Sequence, residues 1–250
     1  MTNQNQKFTD YLLEKYADDF KLATQHEFLK QSGEGSIDSE VLKEWLKQDY
    51  LFAYEGGIKY TASLLSKLSL SPSQTHIRPF PASDLVPILG WSATNLLRET
   101  DWFLSVATEH GLNVFDEQPR ERDTDKYGLL GEYSPITRGY IDYLQVIGAL
   151  GGIEEGMICL WASEKIYNSA WIYAKTHIQS NPSSNETQKA LIKFCDNWTT
   201  PEFTEFVERC ENAMNKFDIE LGSELAERVE KAFKTILWYE QRFWPDVKAH

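Results

Sequence analysis

Apolar residues recur at three- and four-residue intervals from residue 8 to residue 244, and nowhere does an apolar–polar alternation run long enough to make a strand. That periodicity restricts the chain to packed helices, each hiding one stripe of its surface. The first run covers residues 8–29, with Gly33 and Gly35 to stop it. A second starts at Ser36 or Asp38, either a suitable N-cap, and continues towards Leu68. Residues 71–83 hold Pro72, Pro79 and Pro81 and read as a loop. A third helix is expected over 84–110, ended by Gly111. Residues 113–132 are polar and irregular, a long connection of the kind that often covers a functional site. Helices over 135–150 and 153–179 follow, parted by Gly151-Gly152. A turn at 181–186 precedes a shorter helix over 187–198. Thr200-Pro201 then supplies an N-cap and a first-turn proline for a helix to about Lys216, and the last helix spans 221–244. No repeat or linker divides the 250 residues, so the expectation is one all-α bundle over 1–250, with its core in 7–245.

The net charge of −13 opposes a phosphate-binding surface, and no cluster of Lys and Arg offsets it, so no nucleic-acid partner is expected. Three cysteines, Cys159, Cys195 and Cys210, form no Cys-x-x-Cys pair and leave one unpaired in any disulfide scheme, which suits a reducing compartment. Residues 1–7 are polar and do not read as a secretory signal. No apolar stretch approaches the roughly 18 residues that span a bilayer, so no membrane is expected. A soluble, cytoplasmic protein follows as the default. No Glu-x-x-His pair lies on a core stripe, which sets a metal aside. His26, near the end of the first run, reads as a turn or capping partner rather than a haem ligand, and no cofactor is expected.

Three carboxylates sit on the wrong face. Asp49 falls on the stripe of Leu42, Trp45, Leu46, Phe52 and Ala53. Glu164 lies among Leu160, Tyr167 and Trp171, and Glu240 among Phe233, Ile236, Leu237, Phe243 and Trp244. A carboxylate facing a core costs several kcal/mol unless it is protonated, paired or hydrogen-bonded. Any one of them could be a structural ion pair; three on three helices point to a shared polar cavity. The high aromatic share, 13%, suits a cavity that grips a flat ligand.

The same residues carry a family pattern. His26-Glu27-Phe28-Leu29, Gly33-Glu34-Gly35 and Trp45-Leu46-Lys47-Gln48-Asp49-Tyr50 resemble the opening signature of TenA (thiaminase II) proteins. Tyr140-Ile141-Asp142-Tyr143-Leu144 resembles the family's Tyr-Thr-Asp-Tyr-Leu run, and Tyr239-Glu240-Gln241-Arg242-Phe243-Trp244 its C-terminal Tyr-Glu-x-x-Phe-Trp. The resemblance implies a haem-oxygenase-like bundle without haem, enclosing one deep pocket, in a homodimer or homotetramer. It implies that Asp49 pairs with the amino group and ring nitrogen of a thiamin-derived aminopyrimidine. Phe52 stands where the family often has tyrosine. Tyr140, Tyr167 and Trp198 would line the pocket, and Glu240 would be the catalytic acid or base.

Thiaminase-type members carry a cysteine nucleophile that is missing here. The matching segment is Leu160-Trp161-Ala162-Ser163-Glu164-Lys165-Ile166-Tyr167, which resembles the glutamate-type, cysteine-lacking branch associated with hydrolysis of aminopyrimidine and formylaminopyrimidine. Ser163 or Glu164 would occupy the nucleophile position. The chemistry expected is hydrolysis in which ionised Glu240 activates water and Glu164, or a neighbouring tyrosine, donates a proton. Two other readings stand beside it. In one, Cys159, a helical turn before Ser163, faces the same cavity and acts as a displaced nucleophile. In the other, the protein binds a pyrimidine without catalysis.

Overall fold

The computed structural model describes residues 6–68, 82–115, 132–179 and 185–247, with side chains from 84 onward in the second of these stretches. Most of the loop expected at 71–83, of the connection at 113–132 and of the turn at 181–186 lies outside the described residues. What is described is helical. The elements are α1 (Phe8–Lys15), α2 (Ala17–Thr24), α3 (Glu27–Glu34), α4 (Ser39–Leu51), a π-helical segment (Phe52–Gly57), α5 (Ile58–Lys67) and α6 (Ala82–Glu109). They continue with α7 (Pro135–Leu150), α8 (Ile153–Thr176), α9 (Glu186–Asn197), α10 (Pro201–Met214) and α11 (Glu224–Phe243).

Several boundaries follow from local capping chemistry. Asp38 accepts from the backbone N–H groups of Glu40 and Val41, and Ser134 from that of Thr137. Thr200, with Pro201 at the first helical position, accepts from Phe203. Gly35 and Gly111 take the left-handed conformation that ends a helix at little cost, and Gly222 takes it in the turn that leads into α11.

The first expected helix is instead three. His26 caps α3 through Nδ1, which accepts from the N–H of Phe28. The break before it has a tertiary cause. In a continuous helix the carbonyl of Ala23 would accept from the N–H of residue 27. Here the indole Nε1 of Trp244 donates to that carbonyl at 2.8 Å.

Helix α8 runs through the middle of the bundle. Its buried residues, Met157 to Ala162 and then Ile166, Ala170, Trp171 and Ala174, cover every face, as a central helix requires. Gly33 lets α3 come close to it: a Cβ at that position would lie 2.0 Å from the carbonyl oxygen of Ala174. Four tryptophans from four parts of the chain meet beside α8. Trp45 lies 5.4 Å from Trp171, 6.1 Å from Trp198 and 5.7 Å from Trp244, between ring centroids. This cluster fixes α4, α8, α9 and the end of α11 against one another.

Candidate functional site

The last turn of α4 carries Asp49 one helical turn past Trp45, so the ring that anchors the helix also aims the acid inward. The helix then widens into the π-helical segment, whose first residues, Phe52 and Ala53, border a cavity of about 640 Å³, mouth included. The segment ends in Gly56-Gly57, where a Cβ would come within 2.9 Å of Ile141 and 2.8 Å of Leu96. Side-chain-free backbone is what allows α7 and α6 to approach so closely there.

The eight residues singled out in the sequence border this one cavity: Asp49, Phe52, Tyr140, Ser163, Glu164, Tyr167, Trp198 and Glu240. Asp49 and Glu240 are buried, whereas Glu164 keeps part of its surface free. Tyr140 Oη donates to Glu240 Oε1 at 2.7 Å, and Tyr167 Oη donates to Asp49 Oδ2 at 3.1 Å. The ring of Tyr140 lies 4.5 Å from that of Phe52 and stacks on Tyr239 at 4.8 Å. Tyr167 meets Trp198 edge-on at 5.2 Å. The donors are thus held by ring packing on both sides, which fixes their direction before any ligand enters.

Burial raises the pKa of each acid. Asp49 is pushed up to about 7, opposed by the Tyr167 hydrogen bond and reinforced by the charge of Glu99. Glu240 rises to about 8, opposed by the bond from Tyr140 and reinforced by Asp49. Glu164 also rises to about 8, through burial and then the like charges of Glu99, Glu240 and Asp49. Among the described residues no donor opposes that rise. Burial drives the phenols of Tyr140 and Tyr167 well above their ordinary value, so both stay neutral donors.

These shifts couple the cavity to folding. Each acid binds its proton more tightly folded than unfolded, so its contribution is fully present below the unfolded pKa, near 4. It is lost as pH rises through about 8 and changes little above that. For Glu240 alone the change from 4.5 to about 8 corresponds to roughly 5 kcal/mol. Urea unfolding at pH 5, 6.5 and 8 should therefore show wild type losing stability relative to Glu240→Gln as pH rises. A difference that stays flat, or grows the other way, would contradict the burial of this acid.

The structure separates residues that the sequence had placed together. Ser163 borders the cavity, but its Oγ donates back to the carbonyls of Cys159 and Leu160, each at 3.0 Å. No described residue is positioned as its base. Cys159, expected to share the cavity face with Ser163, is instead fully buried and outside the cavity lining, and burial raises its thiol pKa to about 12. That thiol stays protonated and sealed from any ligand. Cys195 and Cys210 are buried and unpaired as well.

A fourth acid was missed. Glu99 of α6 borders the cavity with Leu96, Thr100 and Phe103. Its carboxyl is raised by burial, against hydrogen bonds from Asn95, Asn197 and Trp198 and the charge of Arg98. The signal was present: Glu99 lies three residues after Leu96 and four before Phe103, on one helical stripe. Among the described residues no helix is long and apolar enough to cross a membrane.

Comparison with known proteins agrees with this architecture. A probable bifunctional TENA-E protein of Glycine max is 24% identical, over 94% of this chain and 91% of its own length. A probable transcription factor of Fusarium pseudograminearum is 22% identical over 95% of this chain; the chain spans about half, 51%, of that relative. The solved TenA homologue from Pyrococcus furiosus superposes with a TM-score of 0.74 at 24% identity, covering 95% of this chain and 98% of that one. At that identity the likeness establishes the fold, the haem-oxygenase-like helical bundle. Residues 124–249, half of the sequence, contain the second and third motifs and the helices of Glu164 and Glu240, and they match the TENA/THI-4/PQQC family; the chain is a member of it.

Proposed function

We propose that the protein hydrolyses a C–N bond of a thiamin-derived pyrimidine, either an aminopyrimidine or its formylamino derivative. Membership of the family supports thiamin-related chemistry at a coarser level. The observation that carries the finer reading is an asymmetry between two acids on one aromatic-lined cavity. Glu240 receives a hydrogen bond from Tyr140, which favours its ionised form, while Glu164 receives none among the described residues and is crowded by three like charges. Glu240 is the base and Glu164 the acid.

In the step itself, the oxygen of water bonds to the carbon that bears the scissile nitrogen. Glu240 takes the proton that water gives up, and the C–N bond breaks as Glu164 protonates the nitrogen. Asp49, held near neutrality, presents one donor and one acceptor oxygen. These match the ring nitrogen and exocyclic amino group of an aminopyrimidine edge. Phe52, Tyr140 and Trp198 supply faces for the ring.

The test is to incubate the protein separately with thiamin, aminopyrimidine and formylaminopyrimidine and to follow the products. Release of hydroxymethylpyrimidine or aminopyrimidine from the latter two, with thiamin left intact, is expected. Cleavage of thiamin would instead require a nucleophile in the cavity that Cys159 does not provide. Tight binding without turnover would make the protein a pyrimidine binder and end the hydrolytic reading.

A further inference from the structure

Two consecutive residues of α8 serve different ends. Tyr167 borders the chamber and donates to Asp49. Asn168 is buried, lies outside the chamber lining and donates through Nδ2 to the backbone carbonyl of Trp198 at 3.0 Å.

The end of α9 explains why that carbonyl needs a donor from another helix. The last carbonyls of a helix have no partner within it and must find one elsewhere. Phe194 O accepts from the N–H of Trp198 at 3.0 Å, Cys195 O from Thr199 Oγ1 at 2.7 Å, and Asn197 O from the N–H of Thr200 at 3.4 Å. The residue three beyond Trp198 is Pro201, which opens α10 and has no N–H to give. The local donor is missing, and Asn168 supplies one. One end of this bond sits in the middle of α8, between helical turns on both sides. The other sits in the three-residue link between α9 and α10.

The ring carried by that link belongs to the chamber. Trp198 borders it, 5.2 Å from Tyr167 and 6.5 Å from Phe103, another lining residue, and 4.7 Å from Trp171 behind. Tyr167 in turn holds Asp49 at 3.1 Å. We propose that Asn168 is a positioning residue for recognition of the pyrimidine. By tying the Trp198 backbone to α8, it sets where the Trp198 ring stands relative to the Tyr167–Asp49 pair. This role rests on the reading above that the chamber takes a thiamin-derived pyrimidine. Glu240 is held by a separate pair, Tyr140 stacked on Tyr239, so loss of the Asn168 bond acts on binding rather than on the chemical step.

Asn168→Leu keeps the volume of the side chain and removes the donor. Its KM and its dissociation constant for the pyrimidine should rise about ten-fold, with kcat within about three-fold of wild type. A merely structural defect would lower the amount of active protein and leave KM where it was. A double-mutant cycle with Trp198→Leu then asks whether Asn168 acts through that ring. In the Trp198→Leu background the further change at Asn168 should move KM by no more than about two-fold. Should Asn168→Leu fail to fold, Asn168→Ser serves, because its hydroxyl falls short of the Trp198 carbonyl and can return to a carbonyl of its own helix. A KM within two-fold of wild type, a loss confined to kcat, or effects that simply add in the cycle overturns the proposal. If wild type binds a pyrimidine without turning it over, the hydrolytic reading falls alone, and dissociation constants decide the role of Asn168 by the same criteria. If wild type binds neither pyrimidine, both fall.

Discussion

Replacing Glu240 by glutamine is expected to lower turnover of the pyrimidine substrate by about a hundred- to ten-thousand-fold, the usual contribution of a positioned base. Pyrimidine affinity should stay within a few-fold. The amide oxygen can still accept from Tyr140, so the stacked pair of Tyr140 and Tyr239 keeps its place and the cavity its shape. The change removes only the ability to take a proton from water. Steady-state kinetics with a parallel binding titration separates the two effects. Turnover within three-fold of wild type would remove Glu240 from the chemistry, and a collapse of binding would make it a structural acid.

Asp49→Ala should act on the other quantity. Its carboxyl offers both a donor and an acceptor to a pyrimidine edge, and it sits where little water competes. Two hydrogen bonds to a group of this kind amount to about 3 kcal/mol or more, so the dissociation constant should rise about a hundred-fold or beyond. Fluorescence of the surrounding tryptophans offers a direct readout, because Trp198 borders the same cavity. The substitution also leaves the hydroxyl of Tyr167 without its partner, costing about 1–3 kcal/mol of stability in the empty protein. An affinity that hardly changes would mean that the ring is recognised elsewhere in the chamber.

How far the sequence disclosed all this depended on whether the cause was local. The starts of α7 and α10 follow from Ser134 and Thr200-Pro201, and that of α8 from Glu155, which accepts from the N–H of Gly152, so each cap lies within a few residues of its bond. The breaks at Tyr16 and Gln25 carry neither glycine nor proline. The second is enforced from more than two hundred residues away by the Trp244 indole, and no window of sequence contains that contact. The three acids were legible because each interrupts an otherwise apolar stripe. Glu99 interrupts one too, but its stripe already holds Ser92, Asn95 and Thr100, so one more polar residue did not stand out. The separation of Cys159 from Ser163 was hidden for a geometric reason. Residues four apart share a face only to within about 40°, and that difference decides between the core and the cavity wall.

The segment Phe52–Gly57 has a consequence for how this protein can vary. Its wider turns shift the helical phase, so the rod that begins at Ser39 presents Asp49 to the chamber yet, farther along, sends the hydroxyl of Tyr60 to the carbonyl of Gly156 at 2.6 Å. One rod thereby serves two neighbours that a uniform helix would address with a single line of residues. Deleting one residue from this stretch would rotate everything before it by about 100° relative to everything after. The length of this short stretch therefore matters to the fold as much as the two glycines that let α7 and α6 approach it.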